Sequence, residues 1–338
     1  MNLDELKATV LKPYSGARQD RLQALTHLDA GESAFLQLQL TYVELQWHVV
    51  KHKPLRASLF IPVTSEAPTG ADTIRIPYYD LIGRAKIVHD YASDFPEATS
   101  ISTYKDVSIK SVGSKFSYSV QDIRKAQMAG LPLEQRKADA ARRAVDELID
   151  NIAWLGDSAS GLTGLLNATG VNSYTVGTTG TSSSTLWSAK TPDNIIADVT
   201  GLINTVRVAT NGKETPDTLL LPMKNYNYIA MTRVSSYSDK TILTYLKEAV
   251  KELGITKIDW VNELVNIGSS GTVPVGQTYS DRMIAFPSDP NILRLEIPQP
   301  FEMYPPQLEN LVYNIPCHAR TAGVLLYYPL AVVVGDGI

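Results

Sequence analysis

Three groups of residues in this chain carry side chains suited to chemistry, and each falls short of the arrangement that the chemistry needs. Gly156-Asp157-Ser158 sets a hydroxyl beside a carboxylate, and Ser158-Ala159-Ser160-Gly161 comes near the Gly-x-Ser-x-Gly turn of serine hydrolases. A nucleophilic serine must sit on a tight strand-to-helix turn with a general base in reach. Here the triplet follows a helical pattern, where Gly is expected just past the last turn and Asp and Ser are ordinary turn formers. Glu44, His48 and His52 recur at i, i+4 and i+8 and could share one helix face. A zinc protease needs Glu directly after the first His, but position 49 is valine and strand formers surround the run. A solvated or interfacial histidine pair is the simpler reading, and His27, His89 and His318 are isolated. Gly177-Thr-Thr-Gly180-Thr lacks the Lys-Ser/Thr that ends a phosphate-binding loop, and Asp289-Pro290-Asn291 has no calcium-loop continuation. Asp106, Asp122, Glu134 and the carboxylates of the long helix described below sit among basic residues, as on a salt-bridged face. No catalytic, cofactor-binding or metal-ligating residue is assigned, and no cofactor is expected.

Composition narrows the classes further. The 338 residues suffice for one large or two ordinary domains, and 44% hydrophobic with 20% charged residues is ordinary for a chain that buries a core. A net charge of −4 argues against a polyanion-binding module, whose affinity comes from clustered Lys and Arg. The single cysteine, Cys317, excludes an intramolecular disulfide and fits a reducing cytoplasm. The first residues carry no charged segment followed by an apolar one, and the apolar run near Gly323 to Val334 is broken by Pro329, so neither a secretory signal nor a membrane span is expected. Seventeen tyrosines are many for this length, and tyrosine favours protein contacts because it joins a large ring to one polar tip.

The elements that must position these residues follow from periodicity. Leu3, Leu6, Val10 and Leu11 predict a short amphipathic helix, and Phe35-Leu-Gln-Leu-Gln-Leu-Thr-Tyr-Val43 alternates like a strand with no local core to join, the kind that pairs with another chain. Short β segments are predicted at Leu59-Phe-Ile-Pro-Val63 and Thr73-Ile-Arg-Ile-Pro-Tyr-Tyr79, with a hairpin turning at Gly83. Residues 59–103 are β-prone but poor in core residues, which suggests a projecting loop lying on a neighbouring subunit. Alternation at Phe116, Tyr118 and Val120 gives way at Gly130-Leu131-Pro132 to an amphipathic helix over 131–155, about 37 Å long at 1.5 Å per residue. Pro132 suits its first turn and Gly156 its end. Ala141, Val145, Leu148, Ile149 and Ile152 form its apolar stripe, which must lie on a sheet, while Asp139 and Arg143 are spaced as an i,i+4 pair. Residues 171–190 read as a Gly/Ser/Thr loop. Helices are predicted over 193–208, 223–232 and 241–253, alternating with strands at 218–221, 255–261 and 283–286, and residues 292–334 are strand-rich.

One ordered series of motifs is specific. Gln127-Met-Ala-Gly-Leu-Pro-Leu133 precedes Arg136-Lys-Ala-Asp-Ala-Ala-Arg-Arg-Ala144, and Gly161-Leu-Thr-Gly-Leu-Leu-Asn167 follows it. Then come Thr218-Leu-Leu-Leu-Pro222, Arg282-Met-Ile-Ala-Phe286, Ile297-Pro-Gln-Pro-Phe-Glu302, Pro305-Pro306-Gln307, Tyr313-Asn-Ile-Pro-Cys-His-Ala-Arg320 with Gly323, and Tyr328-Pro329. In this order the chain resembles the major capsid proteins of tailed bacteriophages with the Hong Kong-type fold, in particular a subfamily of roughly 330-residue phage and prophage proteins.

The resemblance implies an α+β fold with an N-terminal arm (residues 1–52), an extended β loop with flanking strands (53–106), a peripheral domain (107–190) built on the spine helix 131–155, an axial αβ domain (191–290), and return strands (291–338). It implies a structural protein, not an enzyme, that self-assembles into the hexamers and pentamers of an icosahedral virion shell. Scaffolding, decoration and portal proteins are further candidate partners. DNA would be enclosed without sequence specificity, no membrane is involved, and assembly would take place in the host cytoplasm. An encapsulin-like compartment is the runner-up within the fold, and a Ser158 hydrolase is the alternative outside it.

Overall fold

The computed structural model describes residues 52–86, 97–129 and 133–338. The expected N-terminal helix, the alternating segment at 35–43, and Glu44, His27, His48 and His89 lie outside the described residues. Along the chain, a helical turn α1 (Ala57–Phe60) leads to strand β1 (Val63–Thr64) and the ten-residue strands β2 (Thr73–Ile82), β3 (Thr99–Ser108) and β4 (Lys110–Ser119). Helices α2 (Val120–Ala129) and α3 (Leu133–Leu155) follow. Next are β5 (Asn172–Thr175), α4 (Pro192–Ala209), β6 (Thr218–Leu221), α5 (Met223–Met231), α6 (Ile242–Ala249), β7 (Lys257–Trp260) and β8 (Arg282–Phe286). The chain ends with β9 (Leu293–Glu296), β10 (Gln299–Met303), β11 (Gln307–Glu309), β12 (Val312–Thr321), β13 (Gly323–Leu326) and β14 (Val333–Asp336).

A five-stranded mixed sheet, ordered β5-β14-β8-β6-β7, carries a core on each face. Side chains alternate along a strand, so Leu219 and Leu221 of β6, Met283 and Ala285 of β8 and Val333 of β14 enter one core with Trp187, Ile195, Leu202 and Leu246. Leu220, Ile284, Phe286 and Val334 enter the other, with Phe60, Ile149, Trp154 and Leu293. Burial on both faces explains the unbroken leucine run 219–221. It also corrects the loop reading of 171–190, because β5 pairs in parallel with β14 and Trp187 is fully buried. There Lys190 and Asp198 form a buried ion pair at 2.5 Å, and the Trp187 indole N–H donates to the same carboxylate.

The long helix α3 lies on a second sheet, in which β12 pairs with β4 along ten residues on one side and with β10 and β11 on the other. Ala141, Val145, Ile149 and Ile152 are buried as the periodicity requires, but Leu148 is 46% exposed and Trp154 is fully buried, so the stripe is rotated toward the far end of the helix. Trp154 packs there against Phe60, at 6.4 Å between ring centroids. One ion pair along the helix joins Arg142 to Asp146 at 3.7 Å.

Three local expectations are corrected. Val120 starts helix α2 instead of continuing a strand, because Ser119 and Asp122 exchange hydrogen bonds between side chain and backbone N–H (3.1 and 3.4 Å) in the manner of a capping box. The segment expected as a strand at 59–63 begins as the turn α1, whose Ala57 N–H donates to the buried Asp150 carboxylate at 2.7 Å. The strand before Gly83 does not pair with the residues that follow it directly; β2 pairs in full with β3, from Thr73 opposite Ser108 to Ile82 opposite Thr99.

Candidate functional site

The Gly156–Asn167 segment finishes a helix. Gly156 adopts φ +68°, the left-handed conformation that glycine tolerates, and its N–H donates to Ile152 O. The N–H groups of Leu165 and Leu166 then donate to the carbonyls of Ala153 and Trp154, satisfying acceptors that a helix end leaves open. Gly164 permits this approach: a Cβ there would lie 2.3 Å from the Gly156 nitrogen. Asp157 accepts from the Ser160 hydroxyl at 2.5 Å and the Ala159 N–H at 3.1 Å, and the Ser160 hydroxyl is the main cause holding its carboxyl below the usual range. Ser158 is exposed on this turn, beside a hollow of about 250 Å³ whose lining includes Lys105, Thr163 and Asn167 but no histidine and no carboxylate. Neither an imidazole nor a carboxylate of that lining is therefore available to Ser158 as a base.

The other candidates also remain apart. Of Glu44, His48 and His52, only His52 falls within the described residues. His318 is half-buried on β12 beside Tyr304, 6.3 Å between ring centroids. Asp289 accepts from the N–H and side-chain amide of Asn291, both at 2.9 Å, so its oxygens close a turn. Among the described residues no group of three or more His, Cys, Asp or Glu side chains is placed to hold a metal ion.

The surfaces without partners are apolar. In the ribbon formed by β2 and β3, residues Ile74, Ile76 and Tyr78 with Val107 anchor the base against Ala322 and Leu325. Two arginines fasten the chain leading into it: Arg294 to Glu66 at 2.5 Å, and Arg320 to Asp72 at 2.7 Å and to Thr69 O. Beyond the base, Tyr79 is 76% and Leu81 74% exposed, and Tyr104, Ile82 and Ile101 are also exposed. Strict alternation and the register place Tyr79, Leu81 and Tyr104 on one face and Ile82 and Ile101 on the other. Both faces of the outer half are therefore open. A two-stranded ribbon is at best marginal in water by itself, and clustered apolar exposure marks a contact surface. Met231 at the end of α5, Tyr237 and Val275 are also exposed. The arginine clamps and the buried Lys190–Asp198 pair were not read from the sequence, because their partners lie far apart or within a stretch that looks like loop.

The family model for major capsid proteins matches residues 83–338, more than half of the chain. No curated protein matches the sequence. Among solved structures, the fold is similar to the capsid of Myoviridae phage XM1, with a TM-score of 0.73 at 17% identity over 89% of this chain and 98% of that one. It is also similar to the capsid of a native GTA particle (TM-score 0.62, 11% identity, 91% and 97% covered) and to a chain from Mycobacterium phage Bobi (0.58, 16%, 92% and 100%). At these identities the likeness shows the fold, which is the mixed α and β fold of phage capsid proteins. With the family match, it establishes that the chain belongs to the major capsid protein family, as a structural subunit of a virion shell.

Proposed function

We propose that copies of this chain assemble into hexamers and pentamers that close an icosahedral shell around phage DNA. The observation that carries this reading is the ribbon β2–β3, anchored at its base and exposing tyrosine, leucine and isoleucine on both faces of its outer half. In this reading the ribbon is the extended loop and lies on a neighbouring subunit, which removes its apolar surface from water. Helix α3 with the sheet of β4, β10, β11 and β12 forms the peripheral domain. The five-stranded sheet with α4, α5 and α6 forms the axial domain, which takes β5 and β14 from outside residues 191–290. A permanent contact of this kind is expected to bury about 2,000 Å² or more per subunit pair.

The role is structural and without catalysis, and the subunits join the shell in the host cytoplasm. Scaffolding, decoration and portal proteins are the further partners that shell closure calls for. A formal charge of −4 supports enclosure of DNA without sequence reading or strong counterion release. The test is electron microscopy of the chain expressed alone and with its scaffold, before and after nuclease treatment. Capsomers or closed shells that persist without nucleic acid are expected. Particles that dissolve on digestion, or discrete monomers with Ser158-dependent esterase activity, would overturn the reading.

A further inference from the structure

We propose that the tip of the β11–β12 hairpin is a second contact between copies of this chain, in which Leu311 enters apolar surface of a neighbouring subunit. The inference rests on the shell reading above and adds a contact separate from the ribbon.

The hairpin turns through two residues. Glu309 pairs with Val312, and Asn310 and Leu311 between them have φ of +48° and +62°. Two positive φ values in a two-residue loop mark a type I′ turn, which favours Asn-Gly because glycine has no Cβ to crowd the left-handed backbone. Asparagine holds its usual place here, but leucine stands where glycine would fit. A leucine side chain gains nothing locally in that region, whereas asparagine can hydrogen-bond nearby backbone.

The subunit's own fold does not use this side chain. Leu311 is 73% exposed and belongs to none of the three cores. What is fixed is its backbone: the carbonyl accepts from the Val120 N–H at 3.0 Å, a bond that glycine would make equally well. Leu308 on β11 of the same hairpin is 61% exposed. A lone exposed leucine is ordinary. One kept in a strained backbone is not, since such strain collects where function uses it.

The occupant is another copy for a geometric reason. A single kind of contact gives a pair, a ring or an open helix, so closing a shell from one kind of subunit takes at least two. The ribbon is one. Strand β12 separates the tip from it. The Thr321 end of β12 lies at the ribbon base, where Arg320 holds Asp72 and Ala322 packs with Ile76, and the Val312 end carries the tip. At roughly 3.3 Å per residue the two ends are about 30 Å apart. The tip and the ribbon therefore leave the subunit at opposite ends of one strand and can reach different neighbours.

The test compares substitutions at this one position. Leu311→Gly should raise the unfolding midpoint of the isolated subunit by about 1–3 °C, because it relieves the turn. The same variant should lower the assembled fraction in sedimentation about tenfold or more. Leu311→Met keeps an apolar body on the same backbone and should assemble to within about twofold of the parent. In shells formed from Leu311→Cys chains mixed with excess parent, the added thiol should be labelled at least about tenfold more slowly than in free subunits. Cys317 is buried and contributes little background. Leu311→Gly shells at parental yield, or labelling as fast in shells as in free subunits, would overturn the tip contact and leave the shell reading intact. A lowered midpoint for Leu311→Gly would mean that the leucine serves its own fold, and would overturn the tip contact as well. Failure of the parent chain to form any capsomer or shell would overturn both readings.

Discussion

The five-stranded sheet and the β2–β3 ribbon are built from similar residues and end in opposite situations. Leu219, Leu220 and Leu221 in the sheet are fully buried, each against one of two cores from the same chain. Tyr79 and Leu81 in the ribbon alternate just as regularly and meet no side chains of their own subunit's core. β-propensity is thus satisfied in both, but burial is completed within the chain only in the first. In the proposed assembly the difference separates stability from assembly: the sheet and α3 hold the subunit together, and the ribbon would meet a neighbouring subunit.

The largest effects on subunit stability should come from the cores. Trp154→Ala removes a fully buried ring packed on Phe60 and should cost about 3–5 kcal/mol, and Ile149→Ala about 2–5 kcal/mol, both read by denaturant unfolding. If either costs less than a ribbon substitution, the division between the two regions is wrong. Next is Asp336 at the end of β14, which receives Arg282 at 2.6 and 2.9 Å and the Ser269 N–H at 2.8 Å. Burial alone would raise its carboxyl, but the Arg282 and Ser269 hydrogen bonds outweigh it and hold the group below its ordinary value. Its contribution should therefore be fully present above the unfolded value of about 3.9 and fall away as the pH drops through the lower folded one. Asp336→Asn should flatten that acid limb in unfolding measured from pH 6 to 2; an unchanged limb would assign acid sensitivity elsewhere.

Smaller still is Arg142→Ala, since the pair with Asp146 is exposed and worth at most about 1 kcal/mol. A larger loss would mean that this side of α3 is a buried one. The smallest change in subunit stability, within about 0.5 kcal/mol, is expected for Tyr79→Ser combined with Leu81→Ser. The same variant should lose shells in electron microscopy. Shells at parental yield would remove the ribbon from the contact.

Local signals made much of this legible. The 3.6 period of α3, the glycine at its end, and the apolar run at β6 are short-range patterns, and each was placed within a few residues. Ser119-x-x-Asp122 was equally local and would have revealed α2, but the apparent alternation through Val120 masked it. The Ser158 segment was legible as a helix end because glycine and Asp-Ser chemistry is set by the backbone around it. What escaped were decisions made by distant partners: α1 depends on Asp150, 93 residues away, and Arg294 reaches Glu66 across 228.

By itself the sequence determined the end of α3 and the span of α4, which stretches could be buried on two faces, and the ordered motifs that resemble a capsid subunit. Those properties depend on neighbours within a few positions, so periodicity, capping and turn chemistry record them. Only the tertiary structure decided that β2 pairs with β3 and not with residues just past Gly83, and that the stripe of α3 turns from Leu148 toward Trp154. It also decided that β5 and β14, more than a hundred residues apart, complete one sheet. A strand specifies its two faces but not its partner; the partner is chosen by which apolar surfaces the whole chain can remove from water together.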